Sequence, residues 1–355
     1  MGDLTKTNAW RNFRNSLPVE LPALGEAGAI YEHVKDSLDE FKLQAADKAA
    51  LDWCEKLSDD LLIAHLQVSP LIIGFQELAG LAEAAVSDMD FRFLFHERRQ
   101  VFHIGYNAST EQLDASYYDL LASEARIASL VAIAKGDVPP SHWQHLGRPV
   151  TVVNGKQVLL SWSGTMFEYL MPTLFIRNYA GTFLSDSCYA ALDAQINYGK
   201  EQQIPWGISE SGYYAFDLNL NYQYRAFGVP ELGYKREMHE DLVVTPYASL
   251  IGLSLQPRQV LENIAHLEQV NMLGRFGFYE ALDYTKTRLP KYQTQAIVQS
   301  YMAHHQGMIL TAASNYLLDD VVVRRFHADE RIKSVELLLQ EKIPQSPPIE
   351  YPRCV

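Results

Sequence analysis

Cysteine is scarce in this chain, and basic residues are outnumbered. Its three cysteines, Cys54, Cys188 and Cys354, lie far apart, without a Cys-x-x-Cys pair or a zinc-ligand spacing, so a reducing compartment suits them. Lysine and arginine number 30 against 43 aspartates and glutamates, giving a formal charge of -13 and a pI near 5.3. A surface of that sign repels a phosphate backbone, which excludes nucleic acid as a partner. There is no Gly-x-x-x-x-Gly-Lys loop, no Gly-x-Gly-x-x-Gly after a strand and no Gly-x-Ser-x-Gly elbow, so nucleotide and serine-hydrolase chemistry lose their usual signatures. Glu237-Met238-His239-Glu240-Asp241 lacks the order of a zinc-protease helix. His304 and His305, adjacent on a helix, point about a hundred degrees apart and suit core packing or a sugar hydrogen bond better than one shared ion. No metal and no cofactor is expected.

The residues after Met1 lack the apolar run of a signal peptide. The longest apolar stretch, 61–86, is interrupted by His65, Gln67, Pro70, Gln76, Glu77 and Glu83, which predicts a buried helix pair in a soluble, cytoplasmic protein. A hydrophobic content of 48% is ample for a large core. Helical periodicity runs through 27–86, with Ile30, Val34, Leu38 and Phe41 in register, and through 166–174, 186–203, 246–255, 258–271, 293–317 and 328–341. Strands are accessory. Phe91 to Tyr106 reads as a hairpin about His96–Gln100, Val150–Leu160 as a second about Asn154-Gly155, and Leu218–Arg225 as a short strand. The economical reading is a predominantly helical domain closed by a Pro-rich segment, 344–355.

Two glutamates stand out. Residues 114–135 predict one amphipathic helix, on whose apolar face Tyr117, Leu120, Ile127 and Val131 are joined by Glu124. A carboxylate there is paired, as with an arginine of a facing helix, or protonated, or kept for chemistry that needs a shifted pKa. Glu210 lies between glycines and aromatics in Trp206-Gly207-Ile208-Ser209-Glu210-Ser211-Gly212, which suits a ligand-facing loop as well as a plain exposed acid. Around it, Trp206, Tyr213, Asp217, Tyr222 and Arg225 mix flat rings with hydrogen-bonding groups, the combination that a sugar's apolar face and hydroxyl edge require. Glycosidic cleavage needs a carboxylic acid and usually a second carboxylate, so Glu124 and Glu210 form a candidate pair, with Glu168, Glu280 and Asp283 as competitors.

Several ordered blocks carry a resemblance. Tyr117-Tyr118-Asp119-Leu120-Leu121-Ala122-Ser123-Glu124, Leu160-Ser161-Trp162-Ser163-Gly164-Thr165-Met166-Phe167-Glu168, Pro205 to Ser211, Asn221 to Gly228, Gly277 to Tyr284 and Ser300 to Met308 closely resemble the central glucoamylase-like domain of bacterial cyclic β-1,2-glucan synthases. The resemblance runs over about 85–343 and implies an (α/α)6 barrel with small hairpins: 1–85 as helical lead-in packed on it, 86–343 as the catalytic domain, 344–355 as tail. It implies anomer-retaining transglycosylation of linear β-1,2-glucan, with water as rival acceptor, Glu210 as general acid and Glu124 acting through a substrate hydroxyl. Trp206, Tyr213, Asp217, Tyr222, Arg225, Tyr279, Glu280, Asp283, His304, His305 and Glu168 are then the expected sugar-binding set. In full synthases such a domain sits between a membrane-embedded glycosyltransferase and a phosphorylase domain on the cytoplasmic side of the inner membrane.

Overall fold

The computed structural model describes residues 8–45, 48–235 and 238–352, the side chain of His239 excepted. Cys354, Arg236 and Glu237 fall outside the described residues. The chain divides into two compact units, 1–90 and 91–355.

The first unit is three helices, Asn8–Ser16, Leu24–Lys42 and Lys48–Asp88. Phe13, Val34, Leu38, Phe41 and Cys54 close a small core, which the faces of Trp10 and Phe13 border at 5.8 Å. The last helix corrects the expected pair. Pro70 removes one backbone donor, yet the Leu- and Ala-rich flanks on either side propagate the helix through it. Its apolar side chains are mostly not buried either: Leu62, Ile63, Leu66, Leu71, Ile73, Phe75, Leu78 and Leu81 are exposed. By length and composition this helix is apolar enough to cross a membrane.

In the second unit helices and short strands surround a large core. Arg126–Lys135, Met166–Leu170, Phe183–Gln202, Pro246–Leu250 and Ala303–Leu317 contribute residues such as Leu130, Leu170, Leu192, Tyr247 and Ala312 to it. A second cluster, with Ile208, Val244, Leu267, Leu282 and Val298, lies at an antiparallel three-stranded sheet of Val243–Val244, Ala281–Asp283 and Ala296–Val298. The hairpin Val150–Val153 with Lys156–Leu159 turns at Asn154 and Gly155, both at positive φ, as the Asn-Gly pair predicts.

Two helix expectations fail for the same reason, that a three-and-four apolar spacing also fits short strands joined to a helix. In 114–135, Tyr117–Tyr118 pairs with Phe102 and His103, the Leu121 N–H bonds the Gly147 carbonyl, and the helix begins only at Arg126. In 293–317, Ala296–Val298 joins the sheet before the helix starts at Ala303. The expected strand at 218–225 is shorter, because Asp217 accepts the N–H groups of Asn219 and Asn221 and folds that stretch into a turn before Tyr222–Arg225.

One contact fixes the wall that the site uses. The segment 161–164 lies directly on 228–235, through Ser161 N–H to Leu232 O at 3.0 Å, Val229 N–H to Gly164 O at 3.1 Å and Lys235 N–H to Trp162 O at 2.8 Å. A Cβ on Gly228 would fall 1.6 Å from the Ser163 oxygen, so only glycine permits this approach.

Candidate active site

A cleft of about 610 Å³ opens in the second unit, lined among others by Tyr117, Tyr118, Asp119, Glu124, Trp162, Phe167, Glu168 and Glu210. Glu124 and Glu210, separated by most of a hundred residues in sequence, thus face one cavity.

Glu124 belongs to the turn that enters the helix Arg126–Lys135, not to a helical stripe. Ser123 orders this turn: its hydroxyl donates to Glu124 Oε2 at 3.2 Å and accepts the Ala125 N–H at 3.2 Å. Behind it the buried Arg126 guanidinium donates to the carbonyls of Ser123 at 3.1 Å, Glu168 at 2.7 Å and Tyr169 at 2.5 Å. Those carbonyl bonds pin the turn to the Met166–Leu170 helix. The expected arginine partner is therefore not found, and among the described residues Glu124 makes no ion pair. Burial together with the charge and hydrogen bond of Glu124 pushes the Tyr118 phenol up to about 12.

Glu210 ends a segment whose backbone is clamped. The Gln195 amide brackets Ile208, donating to its carbonyl at 2.7 Å and accepting its N–H at 2.8 Å. Asn263 does the same for Trp206, at 2.8 and 3.0 Å. Gly207 has φ 125°, and a Cβ there would meet the Ser249 hydroxyl at 2.6 Å. The Tyr247 hydroxyl lies 3.0 Å from the Glu210 carbonyl oxygen. Thus braced, the Glu210 carboxylate accepts a hydrogen bond from Tyr224 at 3.2 Å. Burial, opposed by that hydrogen bond and reinforced by the charge of Glu124, raises its pKa above the ordinary carboxyl value. A half-buried acid that keeps its proton longer than usual is suited to donating it.

The other expected residues separate into distinct settings. Glu168 reaches the cleft, but its oxygens accept from Ser161 Oγ (3.0 Å), the backbone N–H groups of Trp162 (3.0 Å), Ser163 (2.9 Å) and Thr165 (2.9 Å), and Thr165 Oγ1 (2.9 Å), so it braces the wall. Burial raises its pKa while those backbone donors oppose the shift. Trp206 is in the core, 7% exposed, and not among the cleft-lining residues. Tyr213 packs against Phe227 with Arg225 and Arg288 over its face, Tyr222 against Phe216, and Tyr279 against Tyr301. Asp217 shapes a turn. Asp283 is fully buried and holds the Tyr214 N–H and Arg288, and Arg225 pairs with Asp241. Glu280 and His305 are buried against each other at 2.9 Å, with His304 beside them. Among the described residues no group of three or more His, Cys, Asp or Glu side chains converges as metal ligands would.

The cleft also presents residues that sequence reasoning left unassigned. Trp162 lines it with 62% of its surface exposed, and Arg99 lies 4.5 Å over the Tyr117 ring at its edge. The signal for Trp162 was present, since it stands inside the block Leu160 to Glu168, but aromatic content alone does not distinguish a free ring from a packed one, and nothing in the sequence marked Arg99.

A family model described as putative glucoamylase matches residues 116–330. Cyclic β-(1,2)-glucan synthase NdvB of Rhizobium meliloti (strain 1021) is 46% identical over 277 residues, covering 77% of this chain and 10% of that protein. The chain therefore spans about a tenth of the length of that curated relative. Among solved structures it is similar to an endo-β-1,2-glucanase from Talaromyces funiculosus in complex with sophorose, with TM-score 0.46 and 11% identity over 94% of this chain and 67% of the other. It is also similar to a mutant of that enzyme with β-1,2-glucan, with TM-score 0.44 and 11% identity over 92% and 69%.

Proposed function

The chain belongs to the putative glucoamylase family, and on that premise we propose that its second unit, as an (α/α)6 toroid, is an anomer-retaining transglycosylase acting on linear β-1,2-glucan. One observation carries the reading: two carboxylates in unlike settings, Glu124 and Glu210, face the same cleft. Glu210, whose burial favours its protonated form, delivers a proton to the leaving glycosidic oxygen. Glu124, oriented by Ser123, takes the proton of a substrate hydroxyl whose oxygen bonds the anomeric carbon as the glycosidic oxygen leaves with the proton of Glu210. The acceptor hydroxyl then attacks that carbon and gives its proton to Glu210, while the displaced oxygen recovers its proton from Glu124, so two inversions amount to retention. A sugar hydroxyl then accepts the chain, its own end giving a ring. The exposed Trp162 ring offers a flat face to pyranose C–H surfaces. The similarity to a cyclic glucan synthase supports the substrate class. In a full-length protein this unit would work on the cytoplasmic side of a membrane beside glycosyltransferase and phosphorylase domains.

Incubation with linear β-1,2-glucan followed by mass measurement tests the reading. Products lighter by one water are rings, and lengthened chains are disproportionation; linear fragments alone would make the protein an endo-β-1,2-glucanase. Glu210→Gln and Glu124→Gln are each expected to lower kcat by at least about 100-fold with folding intact. Undiminished turnover in either variant removes that residue from its role.

A further inference from the structure

Beyond Glu210, outside the cleft lining, three further side chains lie in series. The buried Glu280 carboxylate accepts the Gly212 N–H on Oε1 at 3.0 Å and faces His305 Nδ1 with Oε2 at 2.9 Å. His305 Nε2 lies 3.4 Å from the Tyr224 hydroxyl, which lies 3.2 Å from Glu210 Oε1. The imidazole is fixed in this line by the Tyr247 ring, stacked at 3.9 Å and 20°. Glu280 and His305 are 2% and 1% exposed, so neither meets a sugar. A carboxylate only accepts, so His305 Nδ1 carries a hydrogen, and Nε2 is left to share one proton with Tyr224.

We propose that Tyr224, His305 and Glu280 form a relay that exchanges a proton with Glu210, with His305 receiving it and the buried Glu280 holding the imidazole at the far end. The proposal rests on reading Glu210 as the acid. In one arrangement the protonated Glu210 donates to the Tyr224 oxygen, and the Tyr224 O–H donates to a neutral His305 Nε2. In the other, the Glu210 O–H and the original Tyr224 O–H are both broken; a new Tyr224 O–H forms with the first proton, and an Nε2–H forms with the second. Tyr224 then donates to the Glu210 carboxylate and the imidazolium donates to Tyr224. One proton has moved from Glu210 to His305, no electrons are gained or lost, and the total charge is unchanged. Both arrangements leave every group hydrogen-bonded, which is what a residue needs when it must give a proton in one half of a retaining reaction and regain it in the other.

Other charges bear on this line. Glu124, the Tyr118 phenol and Glu168 line the same cleft as Glu210, and His304 abuts His305 with ring centroids 4.0 Å apart. Of these, none bonds Glu210 on its relay side. Tyr224 and the His305 charge both hold the Glu210 pKa down against burial, so cutting the relay should let it rise.

The test is a titration of Glu210 in the free protein, by carboxyl-labelled glutamate NMR with the signal assigned through Glu210→Gln. In both His305→Gln and Tyr224→Phe the Glu210 midpoint is expected to rise by about one pH unit, a tenfold change in proton affinity. In Glu210→Gln the pH response of the His305 ring nitrogens, read by 15N shifts, is expected to change in turn. A Glu210 midpoint that stays put in these variants, or His305 nitrogens indifferent to Glu210→Gln, overturns the relay. Should His305→Gln not fold, Tyr224→Phe, at a ring 40% exposed, and the reciprocal His305 measurement still decide the matter. Because no substrate is involved, failure to act on β-1,2-glucan would refute the proposed function and leave this result standing.

Discussion

Replacing Glu168 by alanine strips the cleft wall of its central acceptor. Three backbone N–H groups, those of Trp162, Ser163 and Thr165, converge on the carboxylate within 3.0 Å, along with the hydroxyls of Ser161 and Thr165. The hydroxyls can rotate toward other acceptors, but the N–H groups are held by the backbone. Each buried donor left alone costs about 1–3 kcal/mol. The full sum overstates the loss, since water can enter from the cleft and the desolvation of a buried charge is recovered. The expected net cost is about 3–5 kcal/mol, against about 1–3 kcal/mol for Glu168→Gln, which keeps one acceptor oxygen but turns an NH2 toward donors. For a unit of this size those alanine figures correspond to a Tm lower by about 6–20 °C. Urea unfolding and calorimetry, followed through Trp143, Trp162 and Trp206, measure both variants. A loss below about 1 kcal/mol for Glu168→Ala, or a glutamine variant worse than alanine, would refute the reasoning that this side chain is a brace.

Trp162→Ala tests the exposed ring: stability should change by less than about 0.5 kcal/mol, while KM for glucan rises about tenfold with kcat less affected. A Tm drop of many degrees would instead show that the ring is a packing element. Glu210→Gln bears on pH. The folded pKa of Glu210 is raised by burial, so its neutral form contributes stability that is complete below the ordinary carboxyl range and lost as pH rises through the folded value. The glutamine variant should therefore match the parent Tm in acid and exceed it at neutral pH, and equal offsets at both pH values would contradict the shift.

How far the sequence carried these conclusions differs from residue to residue. The Asn154-Gly155 turn and the helices at 183–202 and 257–269 were legible because local chemistry and periodicity agree there. Residues 114–135 were not, since the pairing that makes Tyr117–Tyr118 a strand comes from Phe102 and His103, outside any local window. Glu124 was singled out by periodicity for a helical burial that does not exist, yet it does face the cleft, and the ordered blocks pointed to the same residue independently. Trp206 and Trp162 show the opposite difficulty. Both are tryptophans beside glycine or serine with their backbones held, one by Asn263 and the other by Glu168 and Lys235, but the ring of the first is in the core and that of the second is exposed. Nor could spacing reveal that His305 is sealed behind Tyr224 instead of touching sugar.

The cleft lining contains Asp119, Glu124, Glu168 and Glu210 against the single guanidinium of Arg99. With the whole surface also negative, a polysaccharide bearing uronate, sulfate or phosphate groups would be repelled before it docked and would lose its hydration without gaining a counter-charge. An unsubstituted glucan suffers neither penalty. Discrimination by electric field would thus precede discrimination by shape, sorting polymers by their substituents before any linkage is read.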